Sequence, residues 1–109
     1  MIKNILYIDT RKGPCNYYND MIKYLKKQST LTFISDNNYN ETTIMNTNPD
    51  LIILGFGLTN TGDGMPKFKI EPKDNKNNIP IYIILNKEYA GLENKFIWIK
   101  SFNPKKVFT

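Results

Sequence analysis

The sequence predicts an α/β fold: a three-layer open parallel sheet of about five strands, Rossmann-like or flavodoxin-like. The prediction rests on apolar runs of strand length, separated by segments with helical or turn patterns. Two of these runs, Leu51–Leu54 and Ile81–Leu85, are continuously apolar rather than alternating. Continuous runs are typical of parallel strands that are covered on both faces. Strands alternating with helices favour right-handed crossovers, and the expected strand order is 2-1-3-4-5.

Turn residues separate each predicted strand from the element that follows it. The first strand ends at Asp9, and Gly13-Pro14 marks the loop after it. Pro49-Asp50 leads into the third strand, and Pro80 introduces the fourth. The predicted strands cover residues 4–8, 31–34, 51–54, 81–85 and 106–109.

Helical periodicity predicts three helices between these strands. Asn16 can cap the first helix, whose apolar face is Tyr18, Met21, Ile22 and Leu25. The second helix, Thr42–Met45, is predicted to be short because Thr and Asn are poor helix formers. The third covers Leu92–Ser101, includes Trp98 as a packing residue, and ends at Asn103-Pro104. Its core-facing residues are expected to be Leu92, Phe96 and Ile99.

The segment 55–78 is rich in Gly, Asn, Lys and Pro and shows no helical or strand pattern. A structureless loop of this length is uncommon in a compact domain and is often functional or mobile. Phe68 and Ile70 are the residues expected to anchor part of it.

The length of 109 residues predicts a single domain, 1–109, with one core. No apolar stretch approaches the roughly 20 residues of a membrane helix, and no signal peptide is recognisable, so we expect a cytoplasmic protein. The last strand ends with the chain, without a helix to cover one face of the sheet. We therefore expect the N-terminal fragment of a longer protein, or a short protein whose homo-oligomer partner covers that face.

The composition excludes several kinds of chemistry. There is no His, which removes the commonest general base and most zinc sites, and Cys15 is the only cysteine. Neither a metal nor a cofactor is expected. The net charge is +5, but Arg11 is the only Arg among 15 basic residues, and nucleic acid is therefore not an expected partner. Abundant Lys, Asn and Ile with a single Ala indicate an AT-rich genome, as in low-GC bacteria and giant viruses.

Ligands of such sheets bind beyond the carboxyl ends of the strands, where the strand order reverses. That point lies between the first and third strands. The candidate ligand-binding residues there are Asp9, Arg11, Lys12, Gly13, Gly55, Gly57 and Asn60. Arg11 and Lys12 precede a helix N-terminus, which favours anions, although a solvated basic turn fits the same residues.

Two further patterns near this point depart from known motifs. Gly55-Phe56-Gly57 is similar to a dinucleotide-binding turn, but position 60 is Asn, so a nicotinamide or flavin cofactor is not expected. The other interpretation is that both glycines permit a tight turn or a close backbone approach. Asp9 is similar to an acidic residue of receiver domains, yet the third strand ends at Gly55, where a receiver has its phosphoacceptor Asp. Phosphoryl transfer is therefore not expected.

Two segments resemble a known family. Residues 49–57, with the sequence PDLIILGFG, resemble a strand of glycosyltransferases with the GT-B fold, which have two Rossmann-like domains. Leu85-Asn86-Lys87-Glu88-Tyr89, with Leu92, Lys95 and 107–109, resembles the next part of the same N-terminal domain. The most similar group is the CgeB-like and related surface-polysaccharide enzymes. The resemblance covers about half of the chain and its motifs are short.

The resemblance implies the acceptor-side domain of a glycosyltransferase. It implies a glycan or small-molecule acceptor and a separate C-terminal domain that binds the nucleotide sugar, so the chain alone should not transfer sugar. Lys87, Glu88 and Tyr89 would line the cleft, with Glu88 as the weak candidate for the catalytic acid or base. The same three residues also fit an ordinary charged turn.

Two other functions remain open from the sequence. The first is a non-catalytic interaction module of degenerate receiver or flavodoxin-like type, based on Asp9 and the absent phosphoacceptor. The second is a small anion- or nucleotide-binding domain that uses Arg11, Lys12 and the glycine-containing loop.

Overall fold

The computed structural model describes residues 2–10, 19–35, 38–59, 71–85 and 91–108. Its centre is a five-stranded sheet, and every paired strand runs parallel to its neighbour. The order is β2-β1-β3-β4-β5, which confirms the predicted fold class and strand order. The strands are β1 Asn4–Asp9, β2 Thr30–Ser35, β3 Leu51–Leu54, β4 Ile81–Ile84 and β5 Lys106–Phe108.

The first strand lies between β2 and β3, and this position creates the reversal in strand order. Asp9 pairs with Ser35 on one side, and Ile8 pairs with Leu54 on the other. All four residues of β3 are buried, as its continuous apolar run predicts. In β4, Tyr82 is only half-buried, because the sheet is less well covered towards β5.

The helices of the described chain are α1 Asn19–Gln28, α2 Glu41–Thr47 and α3 Leu92–Ser101. In α1, Ile22 is buried and Met21 and Leu25 pack around it, as the helical spacing predicts. Asp20 lies in the first turn and Lys26 and Lys27 in the last, where each charge interacts favourably with the helix dipole. The predicted cap Asn16 and the face residue Tyr18 lie outside the described residues.

The second helix is longer than the predicted Thr42–Met45, and its two ends explain why. The Oδ1 atom of Asn40 accepts a hydrogen bond from the Thr43 N–H at 2.8 Å, which satisfies one free donor of the first turn. At the other end Asn48 is left-handed, with φ of 45°, and its N–H donates to the Ile44 carbonyl. The capping residues stabilise a helix that propensity alone disfavours.

The prediction of which residues of α3 face the core was wrong in part. Ile99 is buried, but Leu92 is 37% and Phe96 44% exposed. The buried row is instead Lys95, Ile99 and Phe102, which recur at the spacing of one helical face. Phe102 also packs edge-to-face on Trp98, with ring centroids 4.9 Å apart, and Trp98 is a packing residue as predicted. The sequence pattern favoured the wrong stripe because Lys is rarely buried.

Two apolar clusters cover the two faces of the sheet. One contains Ile44 of α2 and Ile99 of α3, together with the side chains of β3 and β4 that lie on the same face of the sheet. The other contains Ile22 of α1, packed on β1 and β3. At the β5 edge the packing is thinner, and all three residues of that strand are exposed. None of the described helices combines the length and apolarity that a membrane span requires.

The long segment after β3 has more regular structure than its sequence predicts. A 3-10 helix, Phe56–Thr59, begins directly beyond Gly55, and its Leu58 is fully buried in the core. A second 3-10 helix, Pro72–Asp74, precedes β4. The predicted anchors Phe68 and Ile70 lie outside the described residues.

Candidate functional site

Asp9 is the last residue of β1 and lies at the point where the strand order reverses. Its side chain is 3% exposed, which is unusual for a carboxylate. It shares this property with only Lys95 among the charged residues that the structure describes. Burial of an ionised group costs free energy unless polar contacts compensate. A buried carboxylate at the edge where ligands of open α/β sheets bind is therefore a candidate functional residue.

Gly55 and Gly57 lie against the two oxygens of this carboxylate. A Cβ atom on Gly55 would overlap Oδ2 of Asp9 and come within 2.7 Å of Cε1 of Tyr7. A Cβ atom on Gly57 would overlap Oδ1 and come within 2.6 Å of Oγ1 of Thr10. Real Cβ atoms essentially never come this close, so a larger residue at either position would force the side chain of Asp9, and of Tyr7 or Thr10, to shift. We call this arrangement of Asp9, Gly55 and Gly57 the carboxylate cradle.

The geometry agrees with the interpretation that the glycines permit a close backbone approach. Neither glycine is among the described residues with positive φ, so their requirement is space rather than backbone freedom. The Gly55 N–H donates to the Ile8 carbonyl at 2.7 Å, which continues the β1–β3 pairing up to the cradle. The backbone beyond β3 is thereby held against the end of β1.

Thr10 is the exposed residue of this site that the sequence did not single out. Its N–H donates to Oδ1 of Asp9 at 2.7 Å, while its side chain faces solvent. The hydroxyl lies 3.4 Å from the same carboxylate oxygen. Its place directly after a strand-terminal Asp was the available signal. Because the single hydroxyl proton is directed at the carboxylate, the hydroxyl oxygen is left to accept hydrogen bonds from a polar ligand.

The other predicted site residues cannot be placed around the cradle. Arg11, Lys12, Gly13, Asn60, Lys87, Glu88 and Tyr89 all lie outside the described residues. Cys15 lies outside them as well. The structure therefore brings together Asp9, Gly55 and Gly57 from the predicted set and adds Thr10 to them.

Lys95 is the second buried charged residue, and the sequence did not identify it as one. It lies near the start of α3, fully buried in the same row as Ile99. Only its spacing, four residues before Ile99, indicated the inner face. Its Cα is in the helix that follows β4, and its side chain is fully buried.

Asp50 binds the opposite edge of the same two strands. Its Oδ2 atom accepts hydrogen bonds from the N–H groups of Asn4 and Lys3, each at 2.9 Å. These bonds, with Asn4 contributing most, lower the pKa of the carboxyl group below its ordinary value. Asp50 is exposed, so it fastens β1 to β3 with far less burial than Asp9 undergoes.

Tyr39 is a further buried polar group, away from the cradle. Its hydroxyl has no hydrogen-bond partner among the described residues. Burial, and secondarily the negative charge of Asp74, raises the pKa of this phenol above its ordinary value. The hydroxyl therefore stays protonated throughout the physiological range.

Two surface cavities are lined by described residues away from the cradle. Their volumes, about 240 and 200 Å³, are smaller than those of typical small-molecule sites, and they include no cradle residue. No group of three His, Cys, Asp or Glu residues in the described ranges could hold a metal ion. Comparison of the chain with family models, with curated proteins and with solved structures gives no match.

Proposed function

We propose that this chain is the acceptor-side, N-terminal domain of a GT-B-type glycosyltransferase, and that it does not transfer sugar alone. The single observation that carries the proposal is the carboxylate cradle at the switch point of the sheet, formed by Asp9 with Gly55 and Gly57. Crevices at this point of open α/β sheets are where ligands bind. The sequence segment that resembles the glycosyltransferase family, 49–57, contributes both glycines.

The groups that the cradle offers to solvent favour a polyhydroxylated ligand over a nucleotide. A hydroxyl group and backbone polar groups form hydrogen bonds with sugar hydroxyls, and neither carries the positive charge of a Lys or Arg side chain that pairs with phosphate. Thr10 adds a hydroxyl at the solvent side of the same carboxylate. The acceptor of a glycosyltransferase is a hydroxyl-bearing molecule, whereas its donor carries a diphosphate. The cradle therefore suits the acceptor better than the donor.

Asp9 acts in this proposal as a positioning residue. Its burial leaves little surface for a ligand to touch, while its carboxylate lies against both the loop after β1 and the turn after β3. The groups that would meet an acceptor are the Thr10 hydroxyl and the backbone of the turn. Glu88 remains the candidate catalytic acid or base that the resemblance implies.

The direct test is an NMR titration of the isotope-labelled chain with two kinds of probe. The first is a panel of methyl glycosides of common hexoses and N-acetylhexosamines, and the second is UDP together with UDP-glucose. We expect the glycosides to shift the amide signals of Thr10, Gly55 and Gly57, and we expect the nucleotides to leave them unchanged.

Thr10→Ala should weaken the glycoside response by about fivefold to tenfold, because one hydrogen bond contributes about 1 kcal/mol. Thr30→Ala is the matched control, since Thr30 is an exposed threonine at the opposite edge of the sheet. Shifts caused by UDP alone would instead support the nucleotide-binding alternative. If no probe shifts the signals of these three amides, both the acceptor-side proposal and the nucleotide-binding alternative are refuted.

A further inference from the structure

Thr10 is the exposed polar side chain beside the carboxylate cradle, although it directly follows the buried Asp9. Its hydroxyl lies 3.4 Å from Oδ1 of Asp9. That oxygen already accepts the Thr10 N–H at 2.7 Å, so it acts as an acceptor and the hydroxyl is the donor in the second contact. The one proton of the Thr10 hydroxyl is therefore used within the protein.

The hydrogen-bonding capacity that remains on the Thr10 hydroxyl is that of an acceptor. A hydroxyl group has one proton to donate and two lone pairs that accept. A ligand group that binds the Thr10 oxygen must therefore bring its own proton, as a free hydroxyl or an amine does. Ether oxygens and fluorine carry no proton and would leave the lone pairs of the Thr10 oxygen without a partner.

The backbone donors closest to the carboxylate are used within the protein as well. The Thr10 N–H donates to Asp9, and the Gly55 N–H donates to the Ile8 carbonyl at 2.7 Å. Neither of these N–H groups is available to a ligand without breaking a contact of the folded chain. The solvent side of this part of the site therefore selects for ligand groups that donate hydrogen bonds.

Gly57 borders the same hydroxyl from the turn after β3. A Cβ atom at this position would come within 2.6 Å of the Thr10 Oγ1 atom. Gly57 is half-buried, whereas Leu58, which follows it, is fully buried and anchors the turn in the core. The absence of a side chain on Gly57 therefore leaves space beside the Thr10 oxygen that another residue would fill.

We propose that the Thr10 oxygen is a donor-selective subsite, which binds a ligand hydroxyl that donates a hydrogen bond and whose approach Gly57 keeps open. The inference rests on the proposed acceptor function. It narrows the substrate class to sugars with a free hydroxyl at the recognised position. A sugar on which that hydroxyl is alkylated, or replaced by fluorine, lies outside the class.

The test extends the glycoside titration to derivatives of each methyl hexoside in which one hydroxyl is replaced by hydrogen, by fluorine or by an amino group. We expect one position on the sugar at which the hydrogen and fluorine derivatives bind about tenfold more weakly than the parent, measured from the amide signals of Thr10 and Gly57. The amino derivative at this position keeps N–H donors and should bind at least as tightly as the parent.

Two variants of Thr10 assign the effect to its hydroxyl. Thr10→Val removes the oxygen but keeps the shape of the side chain, so the fluorine derivative and the parent sugar should bind equally well. Thr10→Ser keeps the hydroxyl and should keep the difference of about tenfold. Thr30→Val, at the opposite edge of the sheet, is the matched control that should also keep it.

The outcomes separate this inference from the acceptor function on which it rests. Fluorine derivatives that bind as tightly as their parent sugars at every position would overturn the inference alone, as would a loss that persists in Thr10→Val. No response of Thr10, Gly55 and Gly57 to any parent glycoside would overturn the acceptor function and the inference together.

Discussion

Two aspartates lie where β1 meets β3, at opposite ends of the pairing, and they differ in burial. Asp50 is exposed and binds two backbone N–H groups at the amino edge. Asp9 is buried at the carboxyl edge, and two glycines are required to give it space. Asp50 binds backbone N–H groups at the start of β1, whereas Asp9 binds the Thr10 N–H and lies against the turn after β3. The two ends of the pairing are therefore built differently.

The largest expected effect comes from adding a methyl group to the cradle. Gly55→Ala should lower the free energy of unfolding by about 2–3 kcal/mol, because the new Cβ overlaps both Asp9 and the fully buried Tyr7. The measurement is denaturant unfolding. Gly91→Ala is the control for backbone strain alone, since Gly91 has φ of 60°, and it should cost only about 1 kcal/mol. Equal losses would remove the steric argument for the cradle.

A double-mutant cycle measures how much of the cost of Gly57→Ala depends on the Asp9 carboxylate. Gly57→Ala should destabilise the natural chain by about 1–3 kcal/mol, but much less in an Asp9→Ala background, where the overlapping carboxylate is gone. In an Asp50→Ala background the cost of Gly57→Ala should be unchanged, because that carboxylate lies at the other edge. Additive costs in the Asp9→Ala background would show that Gly57 is constrained by something other than the carboxylate.

The smallest expected effect is the contribution of Asp50 to the loss of thermal stability in acid. The pKa of its carboxyl is lowered in the folded chain, so its stabilising effect is present above the unfolded value, about 3.9, and is lost as the pH falls below it. Asp50→Asn should therefore lower the Tm at neutral pH and flatten the decline of Tm between about pH 5 and 2. Thermal melts across this range measure both. If the Tm of Asp50→Asn declines in acid as steeply as that of the natural chain, Asp50 does not make this contribution.

Sequence reasoning succeeded where a pattern is repeated and local. The continuous apolar runs located β3 and β4, and the alternation of strands and helices gave the order β2-β1-β3-β4-β5. From that order alone, Asp9 could be expected near Gly55 and Gly57. The close fit of both glycines around one carboxylate could not be predicted, because it depends on the path of the chain through the 3-10 helix Phe56–Thr59.

The failures have a common physical origin in tertiary packing. Lys95 is buried against the expectation for a charged side chain, and its burial moves Leu92 and Phe96 towards solvent. A sequence pattern that treats Lys as an exposed residue cannot identify the buried face of α3. Likewise, Asn40 stabilises α2 through one side-chain hydrogen bond, which a propensity sum does not include.

The measurement that tests the account most directly is the glycoside titration carried out on Asp9→Asn and Asp50→Asn side by side. Both variants remove one negative charge between the same two strands, and both should give the dispersed spectrum of a folded chain. We predict that Asp9→Asn weakens the response at Thr10 and Gly57 at least about tenfold, while Asp50→Asn leaves it unchanged. Equal responses in the two variants would contradict the claim that the carboxylate cradle organises the acceptor site.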